Sequence, residues 1–253
     1  MMKIALALYV VYAIGLAVAL ARAGLRPGPA LSSGPAAPAR RILVIGAAGR
    51  TGRRIVEGAL ARGYRVTAFA RDPAKLGIEH PDLSVVRGDV VDPGSVDAAV
   101  AGQDAVLCAL GHNRFLGPSD ILSEGTGNLL RAMERHGVRR LVCETSLGIG
   151  DSAGRMGLWY TLFVIPVILP FYFWDKTRQE RRIAGSATDW VIVRPGALTE
   201  GPRTGRLRHG RGVGSLLWTV RVSRADVAEF MLDQVDSGAY VGRAPGVCRG
   251  GPA

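Results

Sequence analysis

From residue 40 onward, short apolar runs alternate with stretches in which apolar positions recur at helical spacing, a rhythm that predicts βαβ units and a mainly parallel sheet. The predicted strands are residues 41–45, 65–70, 84–87, 105–110, 140–145 and 190–194. The predicted helices are residues 51–62, 95–101, 121–136 and 175–185, the last stopped by Gly185. Ser223, with Asp226 three positions on, predicts the capped start of a late helix. No internal repeat of fixed period is present. The fold class expected is α/β, a doubly wound parallel sheet in a single domain, preceded by an N-terminal apolar helix.

That first helix is the run from Ile4 to Ala21, 18 residues without a charge, with Lys3 before it and Arg22 and Arg26 after. It has the minimum length of a bilayer span. The arginines that follow favour a membrane anchor with the remaining chain on the cytoplasmic side. A cleaved signal, which would export the protein, is the main alternative; a misassigned start, leaving a soluble cytoplasmic protein, is another. The expected organisation is an anchor or signal-like helix over residues 1–23, a Pro/Ala/Gly linker over 24–39 and one domain over 40–253. A second charge-free run spans residues 156–174. Crossing the bilayer there would separate the strand at 190–194 from those before it, and Pro166 and Pro170 would break a straight helix. An apolar flap over the active-site cleft, touching the membrane, and plain core packing both fit.

A formal net charge of +11 suits a polyanionic cofactor, anionic lipid or nucleic acid and by itself selects none. Nucleic acid is disfavoured because the basic stretches at 178–182 and 203–211 lack interleaved aromatics. Cys108, Cys143 and Cys248 are odd in number and widely spaced, so reduced thiols are expected, with the first two buried in strands. His80, His136 and His209 show no metal-ligand spacing, and no metal is expected.

The chemistry concentrates in the turn after the first strand, Gly46-Ala47-Ala48-Gly49-Arg50-Thr51-Gly52, which leads into a helix. Its first glycine allows the tight turn, its second lets the backbone approach a pyrophosphate, and its third allows close helix packing. Amides and the positive helix end then face the phosphates, as in a Rossmann-type dinucleotide site. Arg71 ends the second strand, where a carboxylate would select NAD, so an NADP(H) 2′-phosphate is the expected ligand, with Arg50 as a second positive charge. Asp72 reads either as a ribose carboxylate or, with Pro73, as a helix cap. Asp89 and Val90 follow the third strand, where the aspartate either holds the adenine edge or makes a turn. Ala109, Leu110 and Gly111 end the fourth strand and would line the cofactor's path. His112 and Asn113 follow, as an ordinary loop or as contacts to substrate or nicotinamide.

With these segments, the residues Phe69-Ala70-Arg71-Asp72-Pro73, Gly88-Asp89-Val90, Thr145-Ser146, residues 190–196 with Leu198-Thr199, and 223–228 resemble an atypical short-chain dehydrogenase/reductase. The resemblance is to the NAD(P)H-binding group that includes NmrA-like and biliverdin/flavin reductase-like proteins, and it covers roughly residues 40–245. It implies a Rossmann core, bound NADP(H) and a substrate cleft in the C-terminal third. Short-chain dehydrogenases commonly use a Tyr-x-x-x-Lys pair and a serine: the tyrosine exchanges the substrate proton, the lysine eases its loss and holds the ribose, and the serine orients the carbonyl. Tyr172 and Lys176 have that spacing, one helical turn apart, and Ser146 ends the fifth strand. Tyr172 also lies in the aromatic run 171–174, where packing alone would account for it. The expected function is an NADPH-dependent reductase of an apolar carbonyl, quinone, flavin or tetrapyrrole-like acceptor. A non-catalytic NADP(H)-binding redox sensor or regulator is the alternative. Oligomeric state and the identity of the small-molecule substrate are not legible.

Overall fold

The computed structural model describes residues 2–25, 39–112 and 117–250. Most of the expected linker, together with Asn113, lies outside them. Within the described residues the chain runs α1 (Met2–Arg22), β1 (Arg41–Ile45), α2 (Arg50–Ala61), β2 (Arg65–Ala70), β3 (Leu83–Arg87), α3 (Pro93–Val100), β4 (Ala105–Cys108), α4 (Ile121–Arg135) and β5 (Arg140–Glu144). A π-helical segment (Tyr160–Ile168) then leads into α5 (Pro170–Ala184), β6 (Asp189–Pro195), β7 (Ala197–Thr199), β8 (Leu207–Gly210), β9 (Arg221–Ser223), α6 (Arg224–Asp233) and β10 (Gly246–Arg249).

The main sheet has the order β3-β2-β1-β4-β5-β6-β10-β8, parallel from β3 through β10, with β8 antiparallel at the edge. A small parallel pair, β7 with β9, stands beside it. This is the expected doubly wound parallel sheet. Because successive strand residues face opposite sides, β1 sends Ile42 and Val44 to one face, where they join Ile55 of α2 and Val227 and Met231 of α6. Leu43 and Ile45 go to the other, against Val96 of α3, Leu129 and Met133 of α4, and Ile183 of α5. With both faces covered, the strands are near-continuous apolar runs, which is why the first two matched their predicted bounds.

Most boundaries shift by one or two residues, and three places depart in ways that bear on the site. The fourth strand stops at Cys108, so Ala109, Leu110 and Gly111 lie beyond its end. The fifth helix begins at Pro170, five residues before the predicted start, with the proline in the first turn where it needs no N–H partner. Asp72 precedes a single 3-10 turn, Pro73–Lys75, without accepting a capping hydrogen bond, and sits 3.2 Å from Lys75 instead. Ser223 does cap α6, accepting from the Asp226 amide at 3.0 Å. All three cysteines are buried and free, Cys108 and Cys143 as neighbours on β4 and β5.

Candidate active site

The sheet reverses its winding between β1 and β4, and their carboxyl ends open the crevice in which such sheets bind ligands. The glycine turn sits there. Gly46 takes φ +79°, and a Cβ on it would lie 2.7 Å from the Ala109 carbonyl, so a side chain is barred both by conformation and by space. The Gly46 and Ala47 amides donate to the Phe69 carbonyl, which ties the turn to β2. A Cβ on Gly52 would stand 2.1 Å from the Gly46 carbonyl, so this glycine lets α2 close onto the turn. The Gly49 amide closes the turn onto the Gly46 carbonyl at 2.9 Å. The first-turn amides of α2, on Arg50, Thr51 and Gly52, are then the ones that point out of the helix end. A turn built of absent side chains, with Ala47 buried and Ala48 half-buried beside it, fits a pyrophosphate.

Arg71 is exposed just past β2. The Arg50 guanidinium is 3.3 Å from Glu200, which Arg224 also reaches at 2.7 Å. Asp89 accepts from the Val91 amide at 3.2 Å, the turn geometry weighed against an adenine contact. Val90 is buried, and its carbonyl accepts from the Asn128 side chain at 2.8 Å, which fastens this turn to α4.

At the carboxyl ends of β4 and β5, Tyr172 and Lys176 come together, and Ser146 follows β5. Lys176 is 1% exposed, and its ammonium donates to the carbonyls of Leu110 (3.0 Å) and Glu144 (2.9 Å), at the ends of β4 and β5. It lies 5.8 Å from the centre of the Tyr172 ring. Burial works to discharge this ammonium; the fields of Tyr172, Cys143, Glu144 and Cys108 outweigh it, and its pKa stands above the ordinary lysine value. The Tyr172 hydroxyl is beside Gly111, 3.8 Å from where a Cβ on that residue would sit. The His112 ring meets Tyr172 edge-on at 5.1 Å between centroids. Ser146 is half-buried just after β5, its hydroxyl donating to the Leu147 carbonyl at 2.9 Å.

Several polar residues at this edge were not anticipated. The buried Glu144 carboxylate accepts from Thr51 at 3.3 Å. Burial pushes its pKa up, with Lys176, Thr51 and Arg224 pulling the other way. Glu180 receives two hydrogen bonds from the guanidinium of the fully buried Arg194, at 2.9 and 2.7 Å, and one from Thr145 at 2.6 Å. Asp175, also fully buried, accepts from the Leu122 and Ser123 amides and so caps α4 from the neighbouring helix. Glu144 and Asp175 each end an apolar run, their one sequence signal, whereas Glu180 lies in a polar run and gives none. In the basic stretch 178–182, Arg178 and Arg182 pair with Asp120 and Glu124, and Arg181 donates to the Ala23 carbonyl. Among the described residues no cluster of His, Cys, Asp and Glu could hold a metal. A cleft lined by Arg41, Arg65, Asp82 and Gln103 lies at the opposite, amino-terminal edge of the sheet.

A parallel sheet of this order with a glycine turn at its switch point defines a dinucleotide-binding Rossmann protein of the short-chain dehydrogenase/reductase class. The chain belongs to the NAD(P)H-binding family, whose profile matches residues 46–238. An uncharacterized chloroplastic protein of Arabidopsis thaliana is 34% identical over 183 residues, 66% of this chain and 62% of that protein. The chain thus spans less than two thirds of that relative's length. A 2-alkyl-3-oxoalkanoate reductase of Stenotrophomonas maltophilia is 29% identical over 242 residues, 84% of this chain and 69% of that enzyme. Among solved structures, a short-chain dehydrogenase/reductase of Veillonella parvula in complex with NADP superposes with a TM-score of 0.69 at 18% identity, covering 85% of this chain and 96% of that one.

Proposed function

We propose that the protein is an NADPH-dependent reductase of a small apolar acceptor, with a carbonyl compound favoured over a quinone, flavin or tetrapyrrole. The observation that carries this reading is the buried Lys176, held by the Leu110 and Glu144 carbonyls beside the Tyr172 ring, at the strand ends that face the glycine turn. The carbonyl preference follows the likeness to an oxoalkanoate reductase.

The Gly46–Gly52 turn and the first turn of α2 hold the pyrophosphate; Ala48, Gly49, Arg50 and Thr51 border it. Arg71 takes the 2′-phosphate, Asp89 and Val90 border the adenine, and Ala109, Leu110 and Gly111 line the way to the nicotinamide. The bound cofactor supplies the hydride. Tyr172 gives its hydroxyl proton to the acceptor oxygen, Lys176 stabilises the phenolate left behind, and Ser146 swings from the Leu147 carbonyl to orient the acceptor. Residues 1–23 attach the domain, residues 40–253, to the membrane through the stretch 24–39, with the domain in the cytoplasm. Packing of Tyr172 against the cluster of Leu20, Ile149, Ile165 and Phe173 favours the second reading, a cofactor-binding sensor without turnover.

NADPH oxidation in the presence of 2-alkyl-3-oxo acids and alkyl quinones separates the two. Tyr172→Phe is expected to cut turnover by about 100-fold or more while NADPH affinity is kept. Unchanged turnover in this variant contradicts the assigned mechanism; binding without turnover of any acceptor favours the sensor.

A further inference from the structure

Three apolar segments distant in sequence meet on one side of the domain. α1 lies along the π-helical segment, where the Tyr9 and Tyr12 hydroxyls donate to the carbonyls of Leu162 and Pro166, the second at 3.2 Å. In α-helical register these are the carbonyls whose donors Pro166 and Pro170 cannot supply. The Tyr9 and Phe163 rings are 5.8 Å apart. Near its other end, α1 buries Leu20 against Ile149, Ile165 and Phe173, and the Ala23 carbonyl accepts from Arg181 at 2.5 Å. The third segment joins at the foot of the second: the Ser215 amide donates to the Arg155 carbonyl at 2.9 Å and the Leu158 amide to the Leu217 carbonyl at 3.3 Å.

The outward side chains of all three are apolar, among them Val11, Ile14, Trp159, Phe163, Leu217 and Trp218, the last 76% exposed. Ile4–Arg22 is apolar and long enough to cross a membrane, with only 11% of it buried by the domain. The charge pattern points the same way. None of the 21 carboxylate side chains falls in residues 2–25, 152–174 or 201–225, whereas Arg22, Arg155, Arg211 and Arg221 flank the apolar faces.

We propose that this side of the molecule is seated on a bilayer with anionic headgroups, with α1, the π-helical segment and the 214–219 turn sharing the lipid contact. α1 is therefore not a tether that holds the domain clear of the membrane, because its hydrogen bonds carry the 158–168 segment to the same depth. Apolar side chains enter the acyl boundary and the flanking arginines meet lipid phosphates. A second copy of the chain fits less well: a two-fold contact would set this carboxylate-free, arginine-flanked face against itself. The proposal stands apart from the reductase reading, since it needs neither cofactor nor turnover.

The test uses the full chain with vesicles of phosphatidylcholine alone or with about one part in four phosphatidylglycerol. Flotation is expected with both and stronger with phosphatidylglycerol, and acyl-brominated lipids should quench tryptophan emission. Trp218→Phe should reduce that quenching. Leu217→Ser with Trp218→Ser should raise the lipid concentration for half-binding by about tenfold, with circular dichroism unchanged. Equal flotation of the double variant, with quenching indifferent to Trp218→Phe, would overturn the proposal in favour of α1 as a lone tether. Loss of vesicle binding together with a concentration-dependent dimer would overturn it in favour of a second copy. NADPH titration of the same samples reads the cofactor site independently of either result.

Discussion

At Lys176 a charge that would ordinarily be expelled from a protein interior is kept by two main-chain carbonyls and a surrounding set of acidic and polar groups. Replacing it with methionine fills the volume but leaves the carbonyls of Leu110 and Glu144 without their donor. Lys176→Met is therefore expected to cost about 1–3 kcal/mol in urea unfolding and to weaken NADPH binding in the same sample. An unchanged unfolding midpoint would mean that the ammonium is not held as described. The Tyr172–Lys176 pair was legible because one helical turn is a sequence interval. Glu144 was not, because its meeting with Thr51 depends on which strands lie side by side. The Arg50 partner, Glu200, was not legible for a related reason: it is 150 positions away.

The secondary elements show the same division. Central strands and their helices were readable from apolar patterning, since both faces of the sheet are covered. β7, β8, β9 and β10 were missed because three- and four-residue strands near an edge leave too short a pattern. The start of α5 was placed too late because its first turn is apolar all round and carries no capping residue. Asp175, the first residue of the predicted helix, is buried inside α5, and its carboxylate caps α4. Asp226 gives the element scale a pH test. Burial opposes its charge, but hydrogen bonds from Ser223, Thr204 and the Thr204 and Gly205 amides outweigh burial and hold its pKa below the ordinary 3.8. A carboxyl whose folded pKa is lowered adds stability above its unfolded value and loses it as the pH falls through the folded one. Thermal unfolding should thus show a steeper loss of stability below pH 3.8 in the wild type than in Asp226→Asn. Parallel profiles would contradict the assignment.

For the whole molecule, the order β3-β2-β1-β4-β5-β6 gathers three sequence-distant strand ends around one crevice. The glycine turn follows β1, Arg71 follows β2, and Leu110 and Gly111 follow β4, so motifs read separately along the chain end at one edge of the sheet. The class was readable because parallel strands deliver their carboxyl ends to the same edge whatever the loops contain. The acceptor was not, because specificity in this fold lies in loops and long-range packing, and the π-helical segment, for one, packs on α1, some 150 residues earlier in the chain. The most direct test of the account is calorimetric titration of the wild type and Arg71→Ala with NADPH and NADH. The account predicts tighter binding of NADPH by the wild type and a selective loss of about tenfold or more for NADPH in the variant, with NADH little changed. Equal affinities for the two cofactors, or a variant indistinguishable from wild type, would contradict it.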